Sequence, residues 1–241
     1  MARMARWLVV AGVLVGFLGA PGVVQADPVF VGAAIRLYDG PGNNGGGEFN
    51  ADVSPFGTPY DFITFCLQRN EYFTYGQTMY IGGITDYTVA GYDPISAETA
   101  YLYTQFRSGT LANYAFSSNV SYGGVTYNRT GTATALQLAF WYLEGEVTRS
   151  STGAFLDAYN SASLGTSALA DYYIALANAS GWTGIGDVRV LNLYGSYSAS
   201  AGFSGHRQDQ LVIYGVPEPG TLSLLAVGLL GAGLVRRRRA S

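Results

Sequence analysis

The chain has no lysine, one cysteine and one histidine, and each shortage excludes a class of protein. All 13 basic residues are arginine, and charged residues make up only 12% of the 241 positions. Because Cys66 is the only cysteine, an internal disulfide and the usual zinc ligand sets are excluded. No G-x-S-x-G elbow accompanies His206, so we expect a solvated loop histidine and not a serine hydrolase. Glu144 and Glu146 are interpreted as a solvated helix end, not as a glycosidase acid pair.

Nucleotide, calcium and nucleic-acid binding are also disfavoured. The glycine-rich run GPGNNGGGE, residues 40–48, lacks the GK[ST] of a phosphate-binding loop, and we interpret it as a flexible turn or exposed excursion. No D-x-[DN]-x-[DN]-G calcium loop is present. Between the two ends of the chain, 15 of the 16 aspartates and glutamates outnumber seven arginines, which makes nucleic acid and anionic membranes poor partners. We therefore expect no cofactor, no metal and no nucleic-acid partner.

The N-terminus has the pattern of a secretory signal peptide. Two arginines precede an apolar run over residues 7–20, and VQA at residues 24–26 forms a small-residue cleavage site. A retained membrane anchor is the alternative, but the run is short for a bilayer span, which needs ~20 residues. We predict a signal peptide over residues 1–26 and a mature protein that starts at Asp27.

The C-terminus combines a short motif, an apolar segment and a basic cluster. Pro217, Glu218 and Pro219 precede an apolar segment over residues 221–235. The four arginines that follow are Arg236, Arg237, Arg238 and Arg239. By the positive-inside rule this end stays in the cytoplasm, so the rest of the chain faces outward.

This order resembles the PEP-CTERM sorting signal of Gram-negative bacteria. The resemblance implies that residues 217–241 form a sorting and anchor segment with a transmembrane helix. It also implies two partners, an exosortase and the inner membrane, and delivery from that membrane to the cell surface or the extracellular matrix. A plain tail anchor is the alternative.

The region between the ends, residues 27–216, is predicted to be one α+β domain. Short aromatic and β-branched runs predict an antiparallel β-sheet or small barrel. These runs are 29–38, 49–53, 60–67, 71–75, 77–81, 86–89, 188–194 and 210–214. Helical periodicity predicts an inserted helical subdomain. Its helices are expected after Asp93 and over residues 132–143, 152–160 and 166–179. The predicted fold therefore consists of this α+β domain, an N-terminal signal helix and a C-terminal transmembrane helix.

Cys66 and Gln137 each lie in a strongly apolar stretch, FCLQ at 65–68 and LQLAFW at 136–141. A buried amide without a hydrogen bond costs ~1 to 3 kcal/mol. Gln137 is therefore either a hydrogen-bonded core amide or one half of an internal thioester with Cys66. A lone cysteine, in turn, is either buried and inert, paired with another molecule, or chemically used.

The two stretches resemble the motifs of the thioester domains of Gram-positive surface adhesins. Those domains carry the cysteine on a strand after an aromatic or aliphatic residue, and the glutamine on a later helix before an apolar run that commonly ends in Trp. The resemblance covers roughly residues 61–214 and implies a Cys66–Gln137 thioester. An amine on a host or matrix protein would open it, which makes the protein a one-shot covalent adhesin and not an enzyme.

A protein of another class is the alternative. A noncatalytic biofilm or matrix protein would bind carbohydrate or protein weakly and would keep a free, buried Cys66. The missing lysines fit an adhesin, because a lysine-free chain cannot cross-link to its own copies through side chains, but a GC-rich genome explains them equally well.

Overall fold

The computed structural model describes residues 25–43 and 45–215. The predicted sorting segment, its transmembrane helix and nearly all of the predicted signal peptide lie outside the described residues. In the part that is described, no helix is long and apolar enough to cross a membrane. The elements in chain order are β1 (Ala34–Asn43), β2 (Gly46–Val53), β3 (Phe62–Thr64), β4 (Met79–Thr85), α1 (Ala97–Arg107), β5 (Val120–Tyr122), β6 (Val125–Tyr127), α2 (Arg129–Leu143), β7 (Val147–Arg149), β8 (Phe155–Asp157), β9 (Ser163–Gly165), α3 (Ala168–Asn178), β10 (Val188–Ser198) and β11 (Gly202–Ile213).

The main sheet has six strands in the order β11-β10-β4-β1-β2-β3, and every neighbouring pair is antiparallel. Its first four strands precede α1, and its last two follow α3. The helices are therefore inserted between the two parts of the sheet, which confirms the predicted α+β class.

The two edges of this sheet, β3 and β11, approach each other just after the end of β3, where Cys66 forms an isolated antiparallel bridge with Gln210 of β11. Backbone hydrogen bonds of 3.0 and 3.1 Å flank the bridge on either side. Because β3 has only three residues, it cannot form a second full ladder. The sheet stays open, so the small-barrel alternative is wrong.

Each helix begins after a polar residue that caps its first turn. Ser96, Asn128 and Ser167 each accept a hydrogen bond from the backbone N–H three positions later. Gly145, with φ of 76°, follows the end of α2 in the left-handed conformation that glycine favours there. Helices α1, α2 and α3 confirm three of the four predicted helices.

The fourth predicted helix, over residues 152–160, is wrong, because this segment contains β8 of a three-stranded sheet ordered β7-β8-β9. Phe155 and Asp157 are both buried, with a less buried residue between them, which is the period of a strand. The Asp157 carboxylate also accepts two backbone N–H bonds from the turn that follows. These contacts fix a strand and a turn where the composition favoured a helix.

Two predicted strands and the glycine-rich run also differ from their predictions. Residues 71–75 form no strand, and their two tyrosines, Tyr72 and Tyr75, are exposed. Residues 86–89 contribute only an isolated bridge at Tyr87. The glycine-rich run at 40–48 is not an exposed excursion, because β1 extends into it and β2 begins within it.

The buried side chains form two clusters, one of which packs the three helices against the sheet. In the larger cluster the ring of Phe65 meets those of Phe106 and Phe140 at 5.0 and 5.2 Å. Strand β11 contributes Leu211 to the larger cluster and Val212 to the smaller one, as the alternation of side chains in a strand requires. The segment around Cys66 and the centre of α2 both belong to the larger cluster.

Candidate functional site

Cys66 lies at the junction of the two sheet edges, with no exposed surface and no disulfide partner. Burial raises the pKa of its thiol to about 12, and the neighbouring Trp141 side chain, whose buried indole N–H has no other hydrogen-bond partner, acts in the opposite direction. The thiol is therefore protonated at neutral pH and shielded from reagents in solvent.

Gln137 lies in the second half of α2, and its side chain reaches Cys66 across 71 positions of sequence. The thiol sulfur of Cys66 is 3.4 Å from the amide oxygen of Gln137. The amide nitrogen of Gln137 donates to the backbone carbonyl of Cys66 at 2.8 Å. The structure thus brings together the two residues that the sequence singled out, and the hydrogen bonds hold the amide over the thiol. Whether they form a thioester stays a prediction.

Besides Cys66 and Gln137, the site includes the backbone of β2, which was not predicted from the sequence. The N–H of Gly47 donates to the amide oxygen of Gln137 at 3.3 Å. A Cβ on Gly46 would lie 2.7 Å from Cγ of Gln137 and 2.5 Å from Cη2 of Trp141, closer than real carbon atoms pack. Glycine is therefore required at position 46, because the strand passes directly against the helix. The sequence signal for this contact is the GGG of residues 45–47, a composition that by itself predicts a turn.

A buried ion pair fixes the strand immediately after Gly47. Glu48 is 2% exposed, and its carboxylate accepts two hydrogen bonds of 2.8 Å from the guanidinium of Arg129 at the start of α2. The hydroxyl of Tyr114 donates to the same carboxylate at 2.5 Å. Burial and the charge of Glu48 raise the pKa of Tyr114. This bidentate pair ties β2 to α2, and so holds Gly47 opposite Gln137.

A second set of contacts encloses the cysteine from the side of Trp141. The guanidinium of Arg69 stacks over the Trp141 ring at 4.9 Å, and the Arg69 backbone N–H donates to Glu146 at 2.6 Å. Glu146 is 9% exposed, and burial raises its pKa. Glu144 accepts hydrogen bonds from both the N–H and the hydroxyl of Ser96. The prediction of a solvated helix end is therefore wrong, since both acids bind neighbouring segments.

His206 also differs from its prediction as a solvated loop residue. It lies on β11 with its side chain 19% exposed, between Glu71 at 3.1 Å and Asp209 at 3.0 Å. Burial lowers its pKa, but the hydrogen bonds to Asp209 and Glu71 outweigh it and raise the pKa to about 9. Within residues 25–43 and 45–215, no cluster of histidine, cysteine, aspartate and glutamate is suited to hold a metal ion.

The predicted sorting residues lie outside the described part of the chain, and a comparison with known families addresses them. The model of the PEP-CTERM protein-sorting motif matches residues 215–239. The chain therefore carries a sorting signal of exported proteins that an exosortase processes at the membrane. No curated protein and no solved structure matches the chain. The sorting signal thus lies in the tail of the chain.

Proposed function

We propose that the exported domain is a covalent adhesin, which stores an acyl group as a thioester between Cys66 and Gln137. The observation that carries the proposal is the 3.4 Å contact between the thiol sulfur and the amide oxygen. Both side chains are almost fully buried, so water is kept from a bond that it would hydrolyse. A buried thiol facing a polarised amide is an arrangement for acyl transfer.

The bond would form by exchange of sulfur for nitrogen at the side-chain carbonyl of Gln137. The Cys66 sulfur bonds to the carbonyl carbon, the carbon–nitrogen bond breaks, and the thiol proton leaves with the nitrogen as ammonia. The N–H of Gly47, which already donates to the carbonyl oxygen, would stabilise the negative charge that develops there. The product replaces two polar groups in a dry site by a less polar cross-link, which lowers the cost of burial.

Capture of a target would reverse the chemistry at the same carbon. A primary amine on another protein forms the new carbon–nitrogen bond, the carbon–sulfur bond breaks, and one proton from the amine goes to the Cys66 sulfur. The target stays attached through the isopeptide bond and no product is released, so the domain acts once and is not an enzyme. Because the chain has no lysine, its own side chains offer no competing amine.

The test is the intact mass of the purified protein. It is compared with the mass calculated from the sequence between the N- and C-termini that the purified protein has. We expect wild type to be lighter by one ammonia, and Cys66→Ala and Gln137→Glu to have their calculated masses. Methylamine should then add its own mass to wild type and expose one thiol after unfolding. Gln68→Glu changes a neighbouring amide in the same way and should leave the mass deficit intact.

A wild-type protein of full mass, with a thiol that titrates on unfolding, would overturn the proposal. The protein would then be a noncatalytic surface or matrix protein, delivered by its sorting signal and binding its partners without a covalent bond.

A further inference from the structure

A cavity of about 190 Å³ adjoins the candidate site at Gly46. Its lining includes Asp39, Gly46, Phe49 and Tyr75. Gly46 is also the residue whose added Cβ would meet the side chain of Gln137. One glycine residue therefore has the cavity on one side and the amide on the other.

The cavity has the chemistry of a site for an organic cation. Asp39 is exposed, and among the ion pairs of the described residues none involves its carboxylate. Tyr75 and Asp39 line the same cavity, and burial together with the charge of Asp39 raises the pKa of Tyr75. The Tyr75 ring lies 6.2 Å from that of Phe49 and 5.7 Å from that of Phe73. A carboxylate beside aromatic rings attracts an ammonium group through both its charge and the ring faces.

Glu48 also lines the cavity but cannot serve the same purpose. Its carboxylate is already neutralised by the bidentate contact with Arg129 and by the hydroxyl of Tyr114. Asp39 is therefore the acid in this cavity that is left to meet an incoming cation.

We propose that this cavity, which we call the Asp39 cavity, is the entry site for the target amine and that Asp39 selects cationic primary amines such as a lysine side chain. The inference rests on the proposed function. Asp39 and the rings of Tyr75 and Phe49 hold the alkylammonium next to Gly46. The ammonium loses one proton to solvent, and the free amine then attacks the Gln137 carbonyl carbon as described above. Asp39 thus concentrates the nucleophile and does not touch the acyl group.

The test compares two nucleophiles on the same protein by mass spectrometry. Methylamine is a cation at neutral pH, whereas hydroxylamine is largely uncharged. In Asp39→Asn we expect opening by methylamine to slow about two- to fivefold, the range of an exposed ion pair, with the hydroxylamine rate unchanged. Asp86→Asn removes another exposed acid and should alter neither rate. High salt should reduce the methylamine rate of wild type and leave that of Asp39→Asn nearly constant.

The entry site and the thioester can be disproved separately. If wild type and Asp39→Asn both lack one ammonia but keep the same ratio of the two rates, the entry site is overturned and the thioester stands. If wild type shows no mass deficit, the proposed function is disproved, and the proposed entry site is disproved as well. Tyr75→Ala gives a second measurement: it should slow methylamine more than hydroxylamine, and equal slowing of both would contradict the cation site.

Discussion

The backbone N–H of Gly47 donates to the side-chain oxygen of Gln137 at 3.3 Å, across 90 positions of sequence. This bond joins the hairpin of β1 and β2 to the centre of α2, and it lies on the same amide oxygen that faces the Cys66 sulfur. If Gln137 is only a core amide, these two contacts satisfy the hydrogen-bonding needs of its oxygen. If Gln137 is the acyl donor of a thioester, the same contacts polarise its carbonyl group. The same contact therefore serves stability if no bond to sulfur forms, and reactivity if one does.

Gly46→Ala is expected to damage the site more than the fold. The new Cβ would overlap Gln137 and Trp141, and overpacking of this kind costs about 1–3 kcal/mol. We expect a lower fraction of molecules with the ammonia deficit and a lower free energy of unfolding in urea. Gly57→Ala is the matched control, because nothing lies within 4 Å of its added Cβ. Equal stability and equal mass deficits in the two variants would contradict the close approach of β2 to α2.

Trp141→Phe tests the role of the indole N–H beside the sulfur. This group lowers the pKa of the buried Cys66 thiol, so it should stabilise the thiolate that departs when an amine opens the thioester. Hydrogen bonds to charged groups are worth ~1.5–3 kcal/mol, which predicts opening by methylamine slowed at least about tenfold. Trp182→Phe, at a partly exposed ring, should have no effect.

A second readout separates this role from simple packing. After methylamine opening, the pH at which Cys66 becomes reactive toward a small alkylating reagent should be higher in Trp141→Phe than in wild type. An unchanged pH profile together with a slower reaction would assign Trp141 to packing alone.

The parts of the fold that the sequence predicted correctly depend on local signals. The predicted end of α2 agrees with the terminating Gly145, which is close in sequence to the turn it stabilises. The cap at Asn128 was missed, so the predicted start at residue 132 lies three residues inside the helix. Cys66 and Gln137 could be paired because each was an anomaly in its own apolar stretch. That inference required only that a strand and a helix pack together, which a two-layer domain makes common.

Two of the features that were predicted wrongly depend on contacts between distant segments. The glycines at 45–47 looked like a loop because their need for close packing comes from Trp141 and Gln137 on another element. His206 looked solvated because its partner Glu71 lies 135 positions away. Composition carries no information about such partners, so these residues could be found only in the folded chain.

Tyr114→Phe should destabilise the connection between β2 and α2. The variant removes a donor from the buried Glu48 carboxylate, whose remaining partners are the two guanidinium nitrogens of Arg129. We expect the free energy of unfolding in urea to fall by about 1–3 kcal/mol. Tyr122→Phe, where the ring packs on Tyr172 at the surface of the core, should cost less than about 0.5 kcal/mol. Equal effects would mean that the hydroxyl of Tyr114 contributes no more than a surface group.

The stability of the domain should fall as the pH rises from about 6.5 to about 9. The folded protein raises the pKa of His206 from its ordinary value of 6.5 to about 9, because Asp209 and Glu71 both bind the charged ring and outweigh the effect of burial. Below pH 6.5 the ring is charged in the folded and the unfolded chain, and the stabilisation is complete. Above that pH the unfolded chain loses the proton first, so the stabilisation declines and is gone near pH 9. We expect a loss of about 1–3 kcal/mol across this window in urea denaturation, and a flat profile for His206→Gln. Glu71→Gln should retain a smaller slope, since one of the two carboxylates remains. A variant without the histidine that lost as much stability as wild type would place the titrating group elsewhere.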